Sequence, residues 1–255
     1  LALLLSPVFI KLGSRLHPGS SFATPDEFRH ALTERDQRDL KSVYLRDIVR
    51  PHPSDKIIYT LAPNLDVKFR GVRVQTNSFG MRGPEVQVEK KPDQFRVALL
   101  GDSLAFGWGV DEDKIFARVL ERKLQEHFAG KKQVQVLNFG VPGYSTFQEV
   151  AQFLEDGQQF NPDIVLVYFH VSDFGLPFFI RDLESGGGII ALADAFKGFW
   201  RKKDAKTEEK KKKMNELVDP NHALTELAAA AKEKGFKVFL AMDPQQQKDW
   251  RGMVD

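Results

Sequence analysis

The feature that most constrains the fold is an alternation of short apolar runs with amphipathic stretches, which begins near Phe95. Four runs have the length of buried strands, at residues 95–100, 134–139, 164–169 and 236–242. Between the first two, apolar residues recur at helical spacing, at Phe116, Leu120, Leu124 and Phe128. Repeated strand–helix units of this length predict a parallel sheet with helices on both faces, a doubly wound α/β fold.

Polar residues ahead of the amphipathic stretches predict where helices begin. Asp111 is placed to cap the helix that carries Phe116. Ser145, with Gln148 three residues later, has the pattern of a capping box. Asp219 is the expected cap of a last helix over about 222–234, which leads into the fourth run.

Composition narrows the class of protein. The 255 residues include no cysteine, which excludes a disulfide scaffold and a cysteine-ligated zinc module, while 21 phenylalanines argue against global disorder. The six histidines have no metal-ligand spacing, so we predict no metal and no cofactor. A net charge of +2 does not favour nucleic acid as a partner.

We predict three regions along the chain. Residues 1–16 form an apolar N-terminal segment whose apolar run, Leu1 to Ile10, is too short to span a bilayer, since a spanning helix needs about 20 apolar residues. This segment is the remnant of a membrane anchor, the remnant of a signal peptide, or a buried segment. Residues 17–93 form a proline-punctuated extension with a half-buried strand at 72–76, and residues 94–255 form the α/β domain.

The α/β domain carries an insertion at residues 184–215. Residues 196–213 contain nine basic and three acidic side chains, a local net charge of +6. One interpretation is a core-packed helix followed by a solvated charged helix. The other is an interfacial helix that contacts anionic lipid headgroups or a partner protein through Phe196, Trp200, Arg201, Lys202 and Lys203.

Polar clusters follow three of the predicted strands. Asp102 and Ser103 follow the first, residues 138–145 follow the second, and residues 170–173 follow the third. Ligands of parallel α/β sheets bind beyond the carboxyl ends of the strands. At such a position Ser103 would expose its hydroxyl and its own N–H, and Gly143 would offer a second N–H to a developing oxyanion.

Three segments, GDSLAFGWGV (101–110), NFGVPGYST (138–146) and VSDF (171–174), resemble the first three sequence blocks of the SGNH/GDSL hydrolases. TNSFGMRGPE (76–85) resembles the segment that precedes them in bacterial, often membrane-anchored members. The resemblance covers about residues 66–244. It implies a flavodoxin-like sheet, ester hydrolysis or acyl transfer, Ser103 as nucleophile in a loop with Asp102, and oxyanion donors at Ser103 and Gly143.

Two positions depart from the pattern of that family. Ser172 stands where the family has an asparagine as third oxyanion donor, and loss of one donor costs about 2.7–4 kcal/mol of transition-state stabilisation. The general base is the second departure, because the family places a DxxH near its C-terminus. Asp219 to His222 has that spacing, but we expect it at the amino ends of the strands, and His170 is a weak alternative at the carboxyl edge.

Two functional hypotheses follow. The first is a serine esterase or acyl hydrolase, or an acyl transferase, that acts on a carbohydrate or lipid ester and takes its general base from beyond Asp255. The second is a catalytically inactive subunit of a membrane-associated complex, with the insertion as its contact surface. Both predict a membrane-associated protein in the periplasm or another extracytoplasmic space, and whether it is an enzyme stays open.

Overall fold

The structure is a computed structural model that describes residues 43, 45–169 and 219–242. Its N-terminal part contains α1 (Leu45–Ile48), β1 (Val49–Pro51), β2 (Tyr59–Leu61), β3 (Asp66–Phe69) and β4 (Val72–Gln75). Strands and helices then alternate: β5 (Gln94–Leu100), α2 (Ser103–Phe106), α3 (Phe116–Phe128), β6 (Gln133–Asn138), α4 (Thr146–Gln152), β7 (Ile164–Phe169), α5 (Pro220–Lys234) and β8 (Lys237–Met242). A 3₁₀ turn (Glu112–Lys114) precedes α3, and a π turn (Phe153–Gly157) and a 3₁₀ turn (Gln158–Phe160) follow α4.

The four predicted apolar runs form one parallel sheet, which confirms the doubly wound α/β fold. The strand order is β6-β5-β7-β8. The chain leaves β5 toward β6 and leaves β7 in the opposite direction, toward β8. The neighbouring strands β5 and β7 therefore form the topological switch point, where doubly wound sheets bind their ligands.

Helices cover both faces of this sheet because the side chains of β5 alternate between them. Val97 and Leu99 belong to the core cluster on one face, against which Leu120, Leu124 and Phe128 of α3 pack. Ala98 and Leu100 pack on the opposite face, with residues of α4 and α5 that include Val150, Ala223 and Leu227. Phe116, at the start of the predicted apolar face of α3, is 37% exposed and contacts the ring of Tyr168.

Two of the three predicted helix caps are present. Ser145 and Gln148 form the capping box of α4, and the Asp219 carboxylate accepts the N–H of Asn221 at 2.9 Å. The prediction for Asp111 is wrong, because α3 begins one residue after Ile115. A 3₁₀ turn separates Asp111 from that helix, and the Asp111 carboxylate instead pairs with Lys114 at 3.2 Å.

The predicted location of the Asp219 to His222 motif is also wrong. The helix α5 ends beside the amino end of β8, and a crossover helix runs back along the strands, so its start returns to their carboxyl ends. Contacts confirm this direction: Glu226 of α5 lies 3.8 Å from Lys56, whose ammonium group lies over the ring of Phe147 in α4. Since α4 follows the carboxyl end of β6, the motif lies on the carboxyl side of the sheet.

The described part of the extension shares a hydrophobic core with the α/β domain. Tyr59 and Leu61 of β2 and Phe69 of β3 are buried in one cluster with Phe106 and Tyr144. The predicted half-buried strand is β4, which pairs antiparallel with β3. Extension and sheet are therefore packed against each other at the side where the loops after β5 and β6 lie.

A buried arginine connects the end of the extension to the sheet. Arg96 of β5 is fully buried, and burial lowers the pKa of its guanidinium from the ordinary value, an effect that the nearby Asp163 opposes. Its guanidinium donates to the Gln135 side chain and to four backbone carbonyls, those of Gln87, Val88, Glu89 and Phe160. Arg96 therefore holds the segment before β5 in place, because it donates hydrogen bonds to the backbone carbonyls of that segment.

We expect Arg96→Met to lower the free energy of unfolding by about 3 kcal/mol or more, because it leaves several buried acceptors without a donor. Urea denaturation followed by circular dichroism measures this loss. The matched control is Arg73→Met, which removes an exposed guanidinium paired with Asp66 and should leave the midpoint nearly unchanged. Equal midpoints for the two variants would contradict the role given to Arg96.

Candidate active site

Ser103 lies at the carboxyl end of β5, where the prediction placed it. The strand ends at Leu100, a two-residue turn follows, and Ser103 is the first residue of α2. The Asp102 carboxylate accepts the N–H of Leu104 at 2.9 Å and so caps α2. Ser103 is half-buried, and within the described ranges neither its hydroxyl nor its N–H has a hydrogen-bond partner.

The turn that presents Ser103 depends on close backbone approach. A Cβ at Gly101 would lie 2.6 Å from the Cβ of Ala105, which is too close for any side chain. At the other end of α2, Gly107 adopts a left-handed φ of +87° and donates its N–H to the carbonyls of Ser103 and Leu104. Glycines at both ends therefore make this four-residue helix possible.

The loop after β6 is held against α2 by the side chain of Asn138. This side chain is 1% exposed, donates to the Ala105 carbonyl at 3.0 Å and accepts the Gly140 N–H at 2.9 Å. The Val141 N–H donates to the Gly101 carbonyl at 3.1 Å, which extends the pairing of β5 with β6 beyond the strands. The two loops that carry the predicted oxyanion donors are thus joined directly.

Gly143 lies on this second loop, as predicted. It adopts a left-handed φ of +87°, which favours glycine, and it is half-buried. Its N–H has no acceptor among the residues that the structure describes. Two backbone donors, at Ser103 and Gly143, are therefore available to a ligand on adjoining loops.

Arg82 binds the end of the helix that carries Ser103, a contact that the sequence did not predict. Its fully buried guanidinium donates to the carbonyls of Phe106, Gly107 and Val110 at 2.7–3.1 Å, and it pairs with Glu112. The carbonyls at the end of a helix lack intrahelical donors, so Arg82 satisfies the C-terminal end of α2. Burial lowers the pKa of this guanidinium, and Glu112 opposes that shift. The only signal in the sequence is its place in TNSFGMRGPE.

The three described histidines have other contacts. His52 lies 3.3 Å from Asp156, His127 packs on the ring of Phe128, and His222 lies 3.8 Å from Glu226. Because the Asp219 carboxylate caps α5, the Asp219 to His222 motif is not an orienting pair in this structure. Among the described residues, no group of three or more potential metal ligands comes together.

The remaining predicted site residues lie outside the described residues. They comprise the proposed third donor and base, and the proposed contact surface of the insertion: Ser172, His170, Phe196, Trp200, Arg201, Lys202 and Lys203. The apolar segment 1–16 is outside them as well. In the described part, no helix combines the length and the apolar character needed to cross a bilayer.

The parallel doubly wound sheet, with a serine on a strand–turn–helix at its switch point, has the architecture of the α/β serine hydrolases. The family comparison agrees with this class. The chain belongs to the GDSL-like lipase/acylhydrolase family, whose model matches residues 99–252. The resemblance to SGNH/GDSL hydrolases is thereby confirmed.

The chain is similar to several solved structures. TesA is 16% identical with a TM-score of 0.34, over 57% of this chain and 58% of that one. AlinE4, an SGNH-hydrolase family esterase, is 22% identical with a TM-score of 0.30, over 58% and 77%. A GDSL-like lipase from Bacteroides thetaiotaomicron VPI-5482 is 16% identical with a TM-score of 0.25, over 61% and 72%. The chain spans less than two thirds of TesA, and no curated protein matches it.

We expect Gly140→Ala to lower the free energy of unfolding by about 3 kcal/mol, because its Cβ would lie 2.3 Å from the backbone nitrogen of Phe106. The matched control is Gly235→Ala, where φ is +83° but an added Cβ meets nothing within 4 Å. Left-handed strain alone should cost that control about 1 kcal/mol. Urea denaturation compares the two, and an equal loss would show that α2 is not packed against this loop.

Proposed function

We propose that this chain is a serine esterase or acyl hydrolase that acts on a carbohydrate or lipid ester, with Ser103 as nucleophile. The observation that carries the proposal is that key polar groups on the two joined loops have no hydrogen-bond partner. The Ser103 hydroxyl, the Ser103 N–H and the Gly143 N–H are all without partners among the described residues, and both residues are accessible. An accessible hydroxyl and two backbone donors on joined loops are the groups that acyl transfer through a tetrahedral intermediate requires.

In the proposed reaction the Ser103 Oγ attacks the carbonyl carbon of the ester and transfers its proton to a general base. The carbonyl oxygen becomes an oxyanion that accepts hydrogen bonds from the N–H groups of Ser103 and Gly143. The carbon–oxygen bond to the alcohol then breaks, and the alcohol takes the proton from the base. Water, activated by the same base, hydrolyses the acyl-enzyme and restores the hydroxyl.

Two further groups complete the proposed site. Ser172 would be a third oxyanion donor through its hydroxyl, in place of the asparagine of the family. For the base, we propose a residue outside the described ranges, and His170, which directly follows β7 in the sequence, is the candidate. The engagement of His52, His127 and His222 elsewhere supports this choice.

The surroundings of Ser103 support an ester with an apolar portion. Leu104 is 47% exposed although it directly follows the nucleophile. Trp108, two residues after the end of α2, is half-buried and donates its N–H to the Ser103 carbonyl at 3.0 Å, and the Arg70 guanidinium lies 5.0 Å from the centre of its ring. An apolar side chain beside Ser103 and a cation over Trp108 suit an acyl group joined to a polar or anionic alcohol.

We expect a fluorophosphonate probe to label the purified full chain, and Ser103→Ala to abolish the labelling. The probe forms a covalent bond with a serine that has both a base and an oxyanion hole, and loss of a nucleophile lowers turnover by about 10⁴-fold to 10⁶-fold. The control is Ser78→Ala, which removes another exposed hydroxyl and should label like the wild type. Labelling that survives in Ser103→Ala would exclude Ser103 as nucleophile.

The alternative is a catalytically inactive subunit of a membrane-associated complex. It is favoured by the contacts of the three described histidines, which leave the Ser103 hydroxyl without a base among them. The absence of labelling in a sample that is folded by circular dichroism would select this alternative over the enzyme.

For either function we propose a membrane-associated protein in an extracytoplasmic compartment, with Phe196, Trp200 and the basic residues 201–203 as the contact surface. The local charge of +6 over residues 196–213 supports this location.

We expect replacement of Arg201, Lys202 and Lys203 by glutamine to weaken partition into vesicles with anionic phospholipids at least tenfold. Each basic residue near such a surface contributes about 1 kcal/mol, which corresponds to roughly fivefold in affinity. Sedimentation with vesicles measures the partition at low and at physiological salt. The control replaces Lys123, Lys131 and Lys237, three exposed lysines elsewhere, by glutamine. If both triple variants weaken vesicle partition equally, net charge alone explains the effect and the proposed contact surface is contradicted.

A further inference from the structure

The loop that carries Gly143 is bonded on both sides to one strand of the extension. The Tyr59 hydroxyl, from β2, donates to the carbonyl of Pro142 at 3.0 Å. The Tyr144 hydroxyl donates in return to the backbone carbonyl of Tyr59. The two rings lie edge to face with centroids 5.2 Å apart, and both side chains are 1% exposed.

β2 and Ile57, two residues before it, also bind the helix that follows the loop. The Gln148 amide donates to the Ile57 carbonyl at 3.0 Å, and the Gln152 amide donates to the Thr60 hydroxyl at 3.1 Å. Burial raises the pKa of Tyr144 well above its ordinary value, with the neighbouring Tyr59 adding to the shift, so its hydroxyl stays protonated and remains a donor. The extension therefore contacts both the loop and α4 through buried hydrogen bonds.

These bonds determine where the Gly143 N–H points. Pro142 precedes Gly143 and Tyr144 follows it, so the strand holds the chain on either side of the glycine. Glycine has little conformational preference of its own, and the orientation of its N–H is decided by its neighbours. An oxyanion donor must be placed before the charge develops, because reorientation during the reaction would cancel much of its benefit.

We propose that Tyr59 and Tyr144 are positioning residues that hold the Gly143 N–H in the orientation that binds the oxyanion. The extension strand β2 is then a functional part of the hydrolase site, although it lies more than 80 residues away from Gly143 in the chain. This inference rests on the proposed function. Neither tyrosine touches the substrate, and both act through the loop.

The test compares Tyr59→Phe and Tyr144→Phe in the full chain, with p-nitrophenyl acetate as substrate. Each variant should lower kcat about 10-fold to 100-fold and change KM less than about twofold, because the misplaced donor acts on the transition state and not on substrate binding. The affinity of a trifluoromethyl ketone, which forms a tetrahedral adduct with an oxyanion, should fall by the same factor as kcat/KM.

The matched control is Gln152→Met, which removes a buried hydrogen bond between the same strand and α4 and leaves both tyrosines in place. It should lower the melting temperature while leaving kcat within about twofold. A drop in kcat in this control as large as in the tyrosine variants would overturn the inference, because general loosening of the extension would then explain the effect. Unchanged kcat in both tyrosine variants would overturn it as well.

Amide hydrogen exchange tests the positioning without turnover. The N–H groups of Val141 and Tyr144 are hydrogen-bonded within the loop region. They should exchange at least tenfold faster in both tyrosine variants and at the wild-type rate in Gln152→Met. If the wild type neither hydrolyses the ester nor reacts with fluorophosphonate, the proposed function fails, and an unchanged exchange rate would separately refute the positioning by the tyrosines.

Discussion

The side chain of Asn138 makes the contact on which the candidate site depends. Its amide lies between the two loops that follow β5 and β6, with its nitrogen on the Ala105 carbonyl and its oxygen on the Gly140 N–H. A buried amide that loses a partner is costly, so this pair of bonds sets the distance between the loops. Gly140 makes the approach possible, because any larger residue would overlap the backbone of α2.

The extension adds further contacts to the two loops that Asn138 joins. Arg82 satisfies carbonyls at the C-terminal end of α2, and β2 holds the loop around Gly143. The helix α2 has four residues and cannot be stable by itself, since isolated helices of that length do not form in water. Its conformation is therefore imposed by groups that come from other parts of the chain.

The proposed reaction needs groups that bind the oxyanion and a group that transfers the proton, and the described residues offer candidates only for the first. The proposed oxyanion half would use the Ser103 and Gly143 N–H groups, which have no hydrogen-bond partner among the described residues. For the proton-transfer half, none of the three described histidines has a hydrogen bond to Ser103; their contacts are with Asp156, Phe128 and Glu226. Membership in the GDSL-like lipase/acylhydrolase family establishes the class, and the state of the second half distinguishes an active hydrolase from an inactive relative.

The sequence alone determined the four strands of the sheet, the position of Ser103 at a strand end and the capping box of α4. These features depend on residues that are close together in the sequence: the spacing of apolar residues, and a polar residue at the boundary of a strand or helix. Asp111 shows the limit of such patterns, because a polar residue near a helix start does not reveal that a 3₁₀ turn intervenes.

Only the tertiary structure decided which side of the sheet holds Asp219 and His222. It also decided that Arg82 binds the end of α2 and that Tyr59 and Tyr144 bond the loop around Gly143 to β2. Arg82 binds carbonyls 24 to 28 residues away, and Tyr59 and Tyr144 join segments more than 80 residues apart. Arginine and tyrosine occur on most protein surfaces, and nothing in their own neighbourhood marks them as buried donors. Their role follows from the unpaired carbonyls that folding brings to them, and a single sequence does not contain that pairing.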